Sequence, residues 1–588
     1  SGTANELHCG AGANLATSKT LLLSGANSKA IIGAQFACPG IISMTADDTY
    51  LEIGNQSVIT GAQTLATGSG QVMKFGNDCQ LVGNTELQSA DNELHMGSTA
   101  NIDGTVAMTG SNAKMTVGDN SSLAQTLTFA VGTNQKFIAG DSVQVVGNIA
   151  MAGLDSWMEF GSDANLDGTV AITSNRQTFK VGGQSNLAQT VTMGAGAGSM
   201  FYCGPVTQIV GNITISGASM LFEAGAQWNF DGIIDITSGG DKCKMTLGMS
   251  GSLAGAFTCS GAETEMHLGA NCQIVGNILI DGIRSIWRQG SIADINGTVL
   301  LTGAGTEMHL GMAADLAQTL GITTGTGGQS FSCGSNSTIT GIITMSSVSS
   351  RLRIGNDSGV VAAVNLTGVD GYIYAEQKVD FGGIVTLSGA GCSLICENGC
   401  DFDGIVVSGA KCFVDGGGHD TLVNGTTANH AISLVGADDV TIQHIALQTT
   451  STGGQAYDGL ATDASSGYTT VHDVLFVESD NRAAGMTGDF AKFSFCEFRG
   501  VADIGFIMFG GDRGRVLGCH FGGGNGGNMI TTTADADKTL IVGNFGEDTN
   551  SSFNLVSGAD YSLVASNIVN LASANASANS AVADEIVY

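Results

Sequence analysis

The fold is decided by residues 93–110, which read ELHMGSTANIDGTVAMTG. Residues 157–174 (WMEFGSDANLDGTVAITS) and 286–303 (IWRQGSIADINGTVLLTG) repeat the same pattern. Each copy has a glycine at its fifth position, and glycines of this class recur every 21 to 23 residues from Gly10 to Gly355. A period in this range predicts a stacked repeat architecture.

The apolar residues of each repeat have the spacing of β-strands. In residues 93–110 they are Leu94 and Met96, then Ile102, then Val106 and Met108. A spacing of two is the strand period, so each repeat predicts three short strands with these side chains pointing inward. Turn-forming Gly, Asn, Asp and Ser separate the strands. We therefore predict an all-β, single-chain parallel β-helix solenoid of about 25 rungs, each of 21–24 residues.

A longer period lies over the first. Val-Gly-Asn occurs at 82–84, 146–148, 210–212 and 275–277, with spacings of 64 or 65 residues. That spacing equals three rungs and indicates tandem duplication of a three-rung unit, with one binding feature per three rungs as the alternative.

Composition excludes several classes of protein. The net charge of −31 repels phosphate backbones, so nucleic acid and anionic membranes are poor partners. Only 2 of 588 residues are proline, which excludes collagen and suits a stack in which almost every strand N–H is needed. The chain has no run of about 18 apolar residues, so we expect no membrane insertion.

The repeat becomes looser after residue 412. Segments 437–447 (ADDVTIQHIAL), 493–498 (FSFCEF) and 516–521 (VLGCHF) resemble the repeats of the right-handed, pectin-lyase-like parallel β-helix superfamily. That superfamily includes pectate lyases, polygalacturonases, phage tailspikes and other virion fibres, and the resemblance implies a right-handed helix. We divide the chain into a regular solenoid (1–412), a looser β-helix (413–570) and a low-complexity tail (571–588).

Function is less well determined, because this fold carries many activities. The duplicated repeat and the acidic surface favour a structural viral surface, fibre or spike protein at the virion or extracellular surface. A polysaccharide-degrading lyase or hydrolase of the tailspike type and a bacterial surface adhesin are the alternatives. The expected partners are other proteins of the virion or surface assembly. A homotrimer and a host-surface glycan are further alternatives.

No catalytic residue is assigned, and enzymatic activity stays open with the balance against it. The candidates are Asp480, Glu497, Asp512 and His520. Glu497 and His520 align on neighbouring rungs, and a carboxylate near a histidine suits acid–base chemistry. We align Asn544 and Asn567 as the continuation of that ladder. Glycosidases need two carboxylates about 5 to 9.5 Å apart. The sequence positions of Asp480 relative to Glu497 and Asp512 permit such a distance but do not require it. We expect no cofactor and no metal ion.

The 14 cysteines lack a C-x-x-C pair or a cysteine–histidine cluster, so zinc is not indicated. Cys392 with Cys412, and Cys496 with Cys519, are spaced to stack on adjacent rungs, and we favour unbonded thiols over disulfides. Four histidines share the outward position of the first strand and predict a solvated face: His8, His95, His267 and His309. The corner aspartates Asp103, Asp167 and Asp231 are predicted turn residues.

Overall fold

The computed structural model describes most of the chain. The described residues are 4–17, 19–323, 327–425, 430–449, 457–479, 481–500, 505–522, 528–534, 536–546, 553–555, 563–569, 574–575, 581–583 and 586–587. These residues form strands and turns and contain no helix, and hence none long and apolar enough to cross a membrane. The chain divides into two compact units, residues 1–290 and 291–588. Each is a parallel β-solenoid, and the chain makes about 25 turns in all.

Each rung of the regular repeat contains three short strands. In the rung that starts at residue 93 they are Glu93–Met96, Asn101–Ile102 and Val106–Met108. The five side chains predicted to point inward are all buried, with at most 5% exposure. The second strand is only two residues long and contributes a single inward residue, Ile102. The predicted division of the repeat into inward and outward positions is therefore confirmed.

In the first unit, like strands of successive rungs pair in parallel. Leu94, for example, stands opposite Met73 on one side and Met115 on the other. The first strands of this unit are Glu6–Cys9, Lys29–Ile32, Tyr50–Ile53, Val72–Phe75, Glu93–Met96, Lys114–Val117, Lys136–Ala139, Trp157–Phe160, Thr178–Val181, Met200–Cys203, Leu221–Ala224, Lys244–Leu247, Glu265–Leu268 and Ile286–Gln289.

The glycine period comes from close contact between rungs. A Cβ on Gly97 would lie 2.6 Å from the carbonyl carbon of Gly76, and one on Gly104 would collide with the carbonyl group of Gly83. Both contacts are with backbone, which cannot move aside without breaking the ladder. Glycine is therefore required at these corners because the backbones of adjacent rungs touch there.

Aromatic side chains extend the core of the first unit along the stack. Five phenylalanines on consecutive rungs have neighbouring ring centroids 5.0–5.7 Å apart: Phe137, Phe160, Phe179, Phe201 and Phe222. Ring pairs at this separation stabilise a core beyond the area that they bury.

The three-rung period has a structural counterpart at one corner. Gln80 donates to Asp103 (2.8 Å), Gln144 to Asp167 (3.2 Å) and Gln208 to Asp231 (3.1 Å). Each of these bonds joins one rung to the next. The corner aspartates thus bind neighbouring rungs together, in agreement with their predicted role as turn residues.

The strands of the second unit change in length along the chain. Its regular first strands are Glu307–Leu310, Ser330–Cys333, Arg351–Ile354, Tyr372–Ala375, Ser393–Cys396 and Phe413–Asp415. Two 12-residue strands, Asp438–Thr449 and Gly467–Glu478, then replace separate first and second strands. Beyond them the first strands are Lys492–Ser494, Arg515–Leu517, Leu540–Val542 and Leu563–Ala565, and the second strands are Glu497–Arg499, His520–Gly522, Phe545–Gly546 and Ile568–Val569. The third strands here are Ile432–Leu434, Leu460–Thr462, Arg482–Met486, Gly505–Phe509, Asn528–Thr532 and Phe553–Leu555.

This change of strand length follows residue 412, where the sequence predicts a change of repeat. The compact units divide elsewhere, at residue 290, and the three-part division of the chain stays a prediction. Of the tail, only 574–575, 581–583 and 586–587 are described, each as a short strand.

The inward position of Ile102 gives a direct test of the fold. Ile102→Asp places a carboxylate in a fully buried site without a partner, so we expect a loss of several kcal/mol in local stability. Hydrogen–deuterium exchange of peptides covering residues 85–123 should show faster exchange in the variant. Thr105→Asp adds the same charge at an exposed corner of the same rung and should leave exchange nearly unchanged. Equal exchange in both variants would contradict the assignment of Ile102 to the core.

Candidate functional site

Glu497 and His520 form the polar pair that the sequence placed on neighbouring rungs. They stand opposite each other in adjacent second strands, and His520 Nδ1 lies 3.5 Å from Glu497 Oε1. Arg499 donates from Nε to the same carboxylate oxygen at 2.7 Å. Both side chains of the pair are partly exposed, so a ligand can reach them. The predicted alignment of Glu497 with His520 is therefore correct.

The predicted continuation of this ladder was wrong by one residue. His520 stands opposite Phe545, and their rings stack with centroids 5.2 Å apart. Asn544 and Asn567 instead follow Cys519 in a row of buried corner residues on successive rungs. The N–H of Cys519 donates to Asn544 Oδ1 at 2.8 Å, and the N–H of Asn544 donates to Asn567 Oδ1 at 2.9 Å. These buried asparagines hold the corner together inside the solenoid.

Asp512, a further candidate, does not join this pair. Asp512 lies at the corner before the strand Arg515–Leu517, where its backbone N–H donates to Asp489 Oδ1 and its Oδ1 accepts from the N–H of Asp537. It therefore serves as a turn residue. Asp480 lies outside the described residues. Among the described residues, the hydrogen bonds and ion pairs of Glu497 include no second carboxylate.

A histidine–aspartate cluster that the sequence did not predict lies near the start of the looser repeat. His444 Nδ1 is 3.1 Å from Asp415 Oδ1, and its Nε2 is 3.9 Å from Asp473 Oδ2. His419, in the same rung as Asp415, lies 3.4 Å from Asp473 Oδ1. An alignment of residues 413–415 with 441–443 would have predicted that Asp415 and His444 are close in space. This alignment is not evident from the sequence because the rungs there differ in length.

A buried ion pair lies in the same part of the chain. Asp458, whose side chain is 3% exposed, accepts two hydrogen bonds from the guanidinium of Arg482 at 3.0 and 3.1 Å. Asn481 donates a third, at 2.8 Å. A buried carboxylate saturated in this way is a structural element, since its lone pairs are already occupied.

Among the described residues, no group of three or more His, Cys, Asp or Glu side chains, the histidine–aspartate cluster included, is arranged to hold a metal ion. The four histidines of the predicted solvated face instead contact the glutamate two residues before them. These pairs are Glu6 with His8 (2.9 Å), Glu93 with His95 (2.7 Å), Glu265 with His267 (3.4 Å) and Glu307 with His309 (3.1 Å).

All fourteen cysteines are free thiols, and all except Cys9 are buried. Cys392 and Cys412 are within hydrogen-bonding reach of each other, as are Cys496 and Cys519. Burial raises the pKa of three others, Cys243, Cys259 and Cys333, to about 11. Such thiols are poor nucleophiles at neutral pH and behave as core residues.

A groove of about 470 Å³ crosses the first strands near Arg353. It lies where one rung has two small residues, Ser330 and Ser332. The neighbouring rungs have His309 on one side and Arg351 and Arg353 on the other. Arg353 is engaged by Glu376 at 2.6 Å. The hydrogen bond to Glu397 raises the pKa of Tyr374 to about 12, so this phenol stays protonated. Two of its polar side chains, Arg353 and Tyr374, are thus bound to glutamates of neighbouring rungs.

Comparisons of the chain with protein-family models, with curated proteins and with solved structures gave no match. The resemblance to the pectin-lyase-like superfamily therefore stays a prediction, and function has to be argued from the geometry of this chain.

The Asp415 cluster predicts acid sensitivity. Burial raises the pKa of Asp415, but hydrogen bonds from the Gly417 N–H, Gln443 and His444 outweigh it and hold the pKa below its usual 3.8. A carboxyl whose pKa is lowered by folding stabilises the protein above its unfolded pKa, and this contribution is lost as pH falls through the folded pKa. Asp415→Asn should cost about 1–2 kcal/mol at pH 7, and this cost should shrink as pH falls through the folded pKa of Asp415.

Denaturant unfolding of this variant at several pH values measures the effect. Asp420→Asn is the matched control, since this exposed carboxylate accepts one hydrogen bond, from Asn398. A stability difference for Asp415→Asn that is constant with pH would contradict the assignment.

Thiol exposure predicts a labelling pattern. Native protein treated with iodoacetamide should be modified rapidly at Cys9 alone, because every other thiol is buried. After denaturation without reductant, all fourteen cysteines should react. Peptide mass spectrometry gives both readouts. Failure of Cys392 and Cys412 to react in the denatured chain would reveal a disulfide and contradict the free-thiol assignment.

Proposed function

We propose that this chain is a structural component of a surface assembly, namely a virion fibre, spike or related surface protein that associates with other proteins of the particle. The proposal rests on how the rungs use their outward residues. Many of these side chains bind the neighbouring rung, so the surface chemistry contributes to the stability of the stack.

Three contacts on the first strands illustrate this use of the surface. Lys114 lies 3.8 Å from Glu93, and Arg353 lies 2.6 Å from Glu376, each pair joining adjacent rungs. Lys180 lies 4.3 Å above the ring of Trp157 on the preceding rung. Each exposed pair contributes little on its own, but a repeated series adds cohesion along the stack. A solenoid lengthened by duplication of such rungs suits a structural role.

The net charge favours an assembly in which like subunits make few lateral contacts. At −31, like subunits repel one another along their sides unless cations screen the charge. The homotrimer stays an alternative, and sedimentation velocity over a salt series separates it from a monomer by a threefold difference in mass.

Localisation tests the proposal. Antibodies raised against the purified chain should decorate intact particles in immunogold electron microscopy, and the chain should sediment with those particles. Decoration of cell envelopes without particles would favour the adhesin alternative. Recovery of the chain only as a freely diffusing protein would contradict a structural role in any surface assembly.

A polysaccharide-degrading enzyme remains the second candidate, because Glu497 and His520 form an accessible carboxylate–imidazole pair. From the structural proposal we expect no new reducing ends and no unsaturated products from acidic polysaccharides. Should turnover be seen, Glu497→Gln should abolish it if this pair is the catalytic site. Glu478→Gln is the control, since Glu478 binds Gln448 rather than the pair. Turnover that depends on Glu497 would replace the structural assignment.

A further inference from the structure

A second cleft, of about 250 Å³, lies on the outer face of the second unit and contains none of the Glu497 cluster. It follows four consecutive rungs, and at the ladder spacing of about 4.8 Å it extends about 14 Å from its first rung to its last. Its principal lining residues are Asp439, Tyr468, Phe490, Lys492, Arg513 and Arg515.

The cations of the cleft are placed where they repel one another. Lys492 and Arg515 stand directly opposite each other on adjacent first strands. Like charges at opposite positions of a sheet are destabilising. Among the described residues, no carboxylate lies within 4.0 Å of the charged groups of Lys492, Arg513 or Arg515. The preceding residue of the ladder, Thr470, is neutral.

Several other outward cations of this chain are compensated by a carboxylate of a neighbouring rung. Lys29 lies 3.7 Å from Glu6, Lys114 lies 3.8 Å from Glu93 and Arg353 lies 2.6 Å from Glu376. With 21 Lys and Arg against 52 Asp and Glu, carboxylates are plentiful. In this cleft, three cations on two adjacent rungs lie together without a carboxylate partner among the described residues.

The aromatic residues of the cleft have a backbone conformation that bulky residues disfavour. Phe490 occupies the corner before the strand Lys492–Ser494 with φ of 60°, and Tyr468 occupies the equivalent position at the start of the strand Gly467–Glu478 with φ of 41°. The other described rungs have small, polar or charged residues at this left-handed corner, for example Asp91, Gly198 and Arg176, and none has an aromatic residue there. Bulky side chains with positive φ are uncommon, and such strain is concentrated at binding sites.

The stacking of these side chains limits what can bind. The rings of Tyr468 and Phe490 are parallel with centroids 4.3 Å apart, and the guanidinium of Arg513 lies 4.6 Å from the Phe490 ring centroid. Both faces of Phe490 are thus occupied, which disfavours the base stacking that single-stranded nucleic acid requires. Tyr468 remains 54% exposed.

We propose that this cleft binds an acidic oligosaccharide. Its carboxylate or sulfate groups would pair with Lys492, Arg513 and Arg515, since guanidinium groups match such anions with paired hydrogen bonds. Its hydroxyl groups would donate to Asp439 at the other end of the cleft, and the exposed Tyr468 would contact the sugar. The inference rests on the proposed function, in which a surface protein meets glycans of a host.

Isothermal titration of the full chain tests the inference with defined probes. The acidic probes are tetragalacturonate, which has carboxylates, and a sulfated chondroitin tetrasaccharide, so that the two arms identify the preferred anion. Maltotetraose is the neutral probe, and inorganic sulfate and an eight-residue oligothymidylate complete the set. We expect one acidic tetrasaccharide to bind more tightly than all three of these, with affinity that falls as salt is added.

Substitutions separate binding from stability. Lys492→Gln and Arg515→Gln should each weaken binding about tenfold or more. Neither should lower the melting temperature, because each relieves the repulsion between the two cations. Phe490→Asn, which suits the left-handed corner, should weaken binding while the fold is kept. Arg353→Gln is the matched control, an exposed arginine beside Tyr374 that is already paired with Glu376, and it should leave binding unchanged.

Several results would overturn the inference. These are equal binding of neutral and acidic tetrasaccharides, binding of inorganic sulfate as tight as that of either acidic probe, preference for the oligothymidylate, or unchanged affinity in Lys492→Gln. The assay uses purified chain, so it is independent of localisation. Binding by a chain that is absent from particles and cell surfaces would reject the proposed function alone, and absence of binding by a particle-bound chain would reject the cleft alone.

Discussion

The close approach of successive backbones controls this structure. Parallel ladders hold neighbouring rungs about 4.8 Å apart, and backbone hydrogen bonds between rungs continue at the corners, for example from the Gly97 N–H to the Phe75 carbonyl. At Gly97 even one added carbon would meet the rung below. Rungs that differ in length keep the same inward positions because their extra residues lie in the turns, as between Ile236 and Lys244. One residue inserted within a strand would instead move its apolar side chains to the surface.

The same stacking turns the surface into a set of ladders. A side chain at an outward position has the equivalent residue of the next rung as its nearest neighbour, whatever their charges. Where the chain places opposite charges in one ladder, as at Lys114 and Glu93, the rungs hold each other. Where it places like charges, as at Lys492 and Arg515, the stack is weakened locally. The charges at an outward position and at its neighbours therefore indicate whether that position stabilises the stack or serves another role.

The fold could be predicted because one short rule is repeated many times. Residues such as Leu94, Ile102 and Met108 recur at fixed offsets, and averaging over rungs removes the ambiguity of any single strand. The candidate site lies where that repetition fails. Glu497 and His520 were aligned correctly, yet Asn544 and Asn567 were displaced by one residue. The corner residue before the second strand changes from Phe495 to Gly518 and Gly543, and the segments share too few side chains to fix the register. The cleft at Lys492 was missed because it combines corner residues with strand residues, whose proximity depends on backbone geometry.

The corner bonds between glutamine and aspartate have a consequence for how such a chain can change length. Gln80 and Asp103 are separated from Gln144 and Asp167 by 64 residues, and the bonds they make are equivalent. Excision of one such interval would remove three whole rungs and join two ends that already have matching neighbours. Recombination between the copies would then yield shorter or longer proteins without creating an unpaired strand inside the stack. The length of the first unit could thus vary in steps of three rungs, while the chemistry of each rung is inherited unchanged.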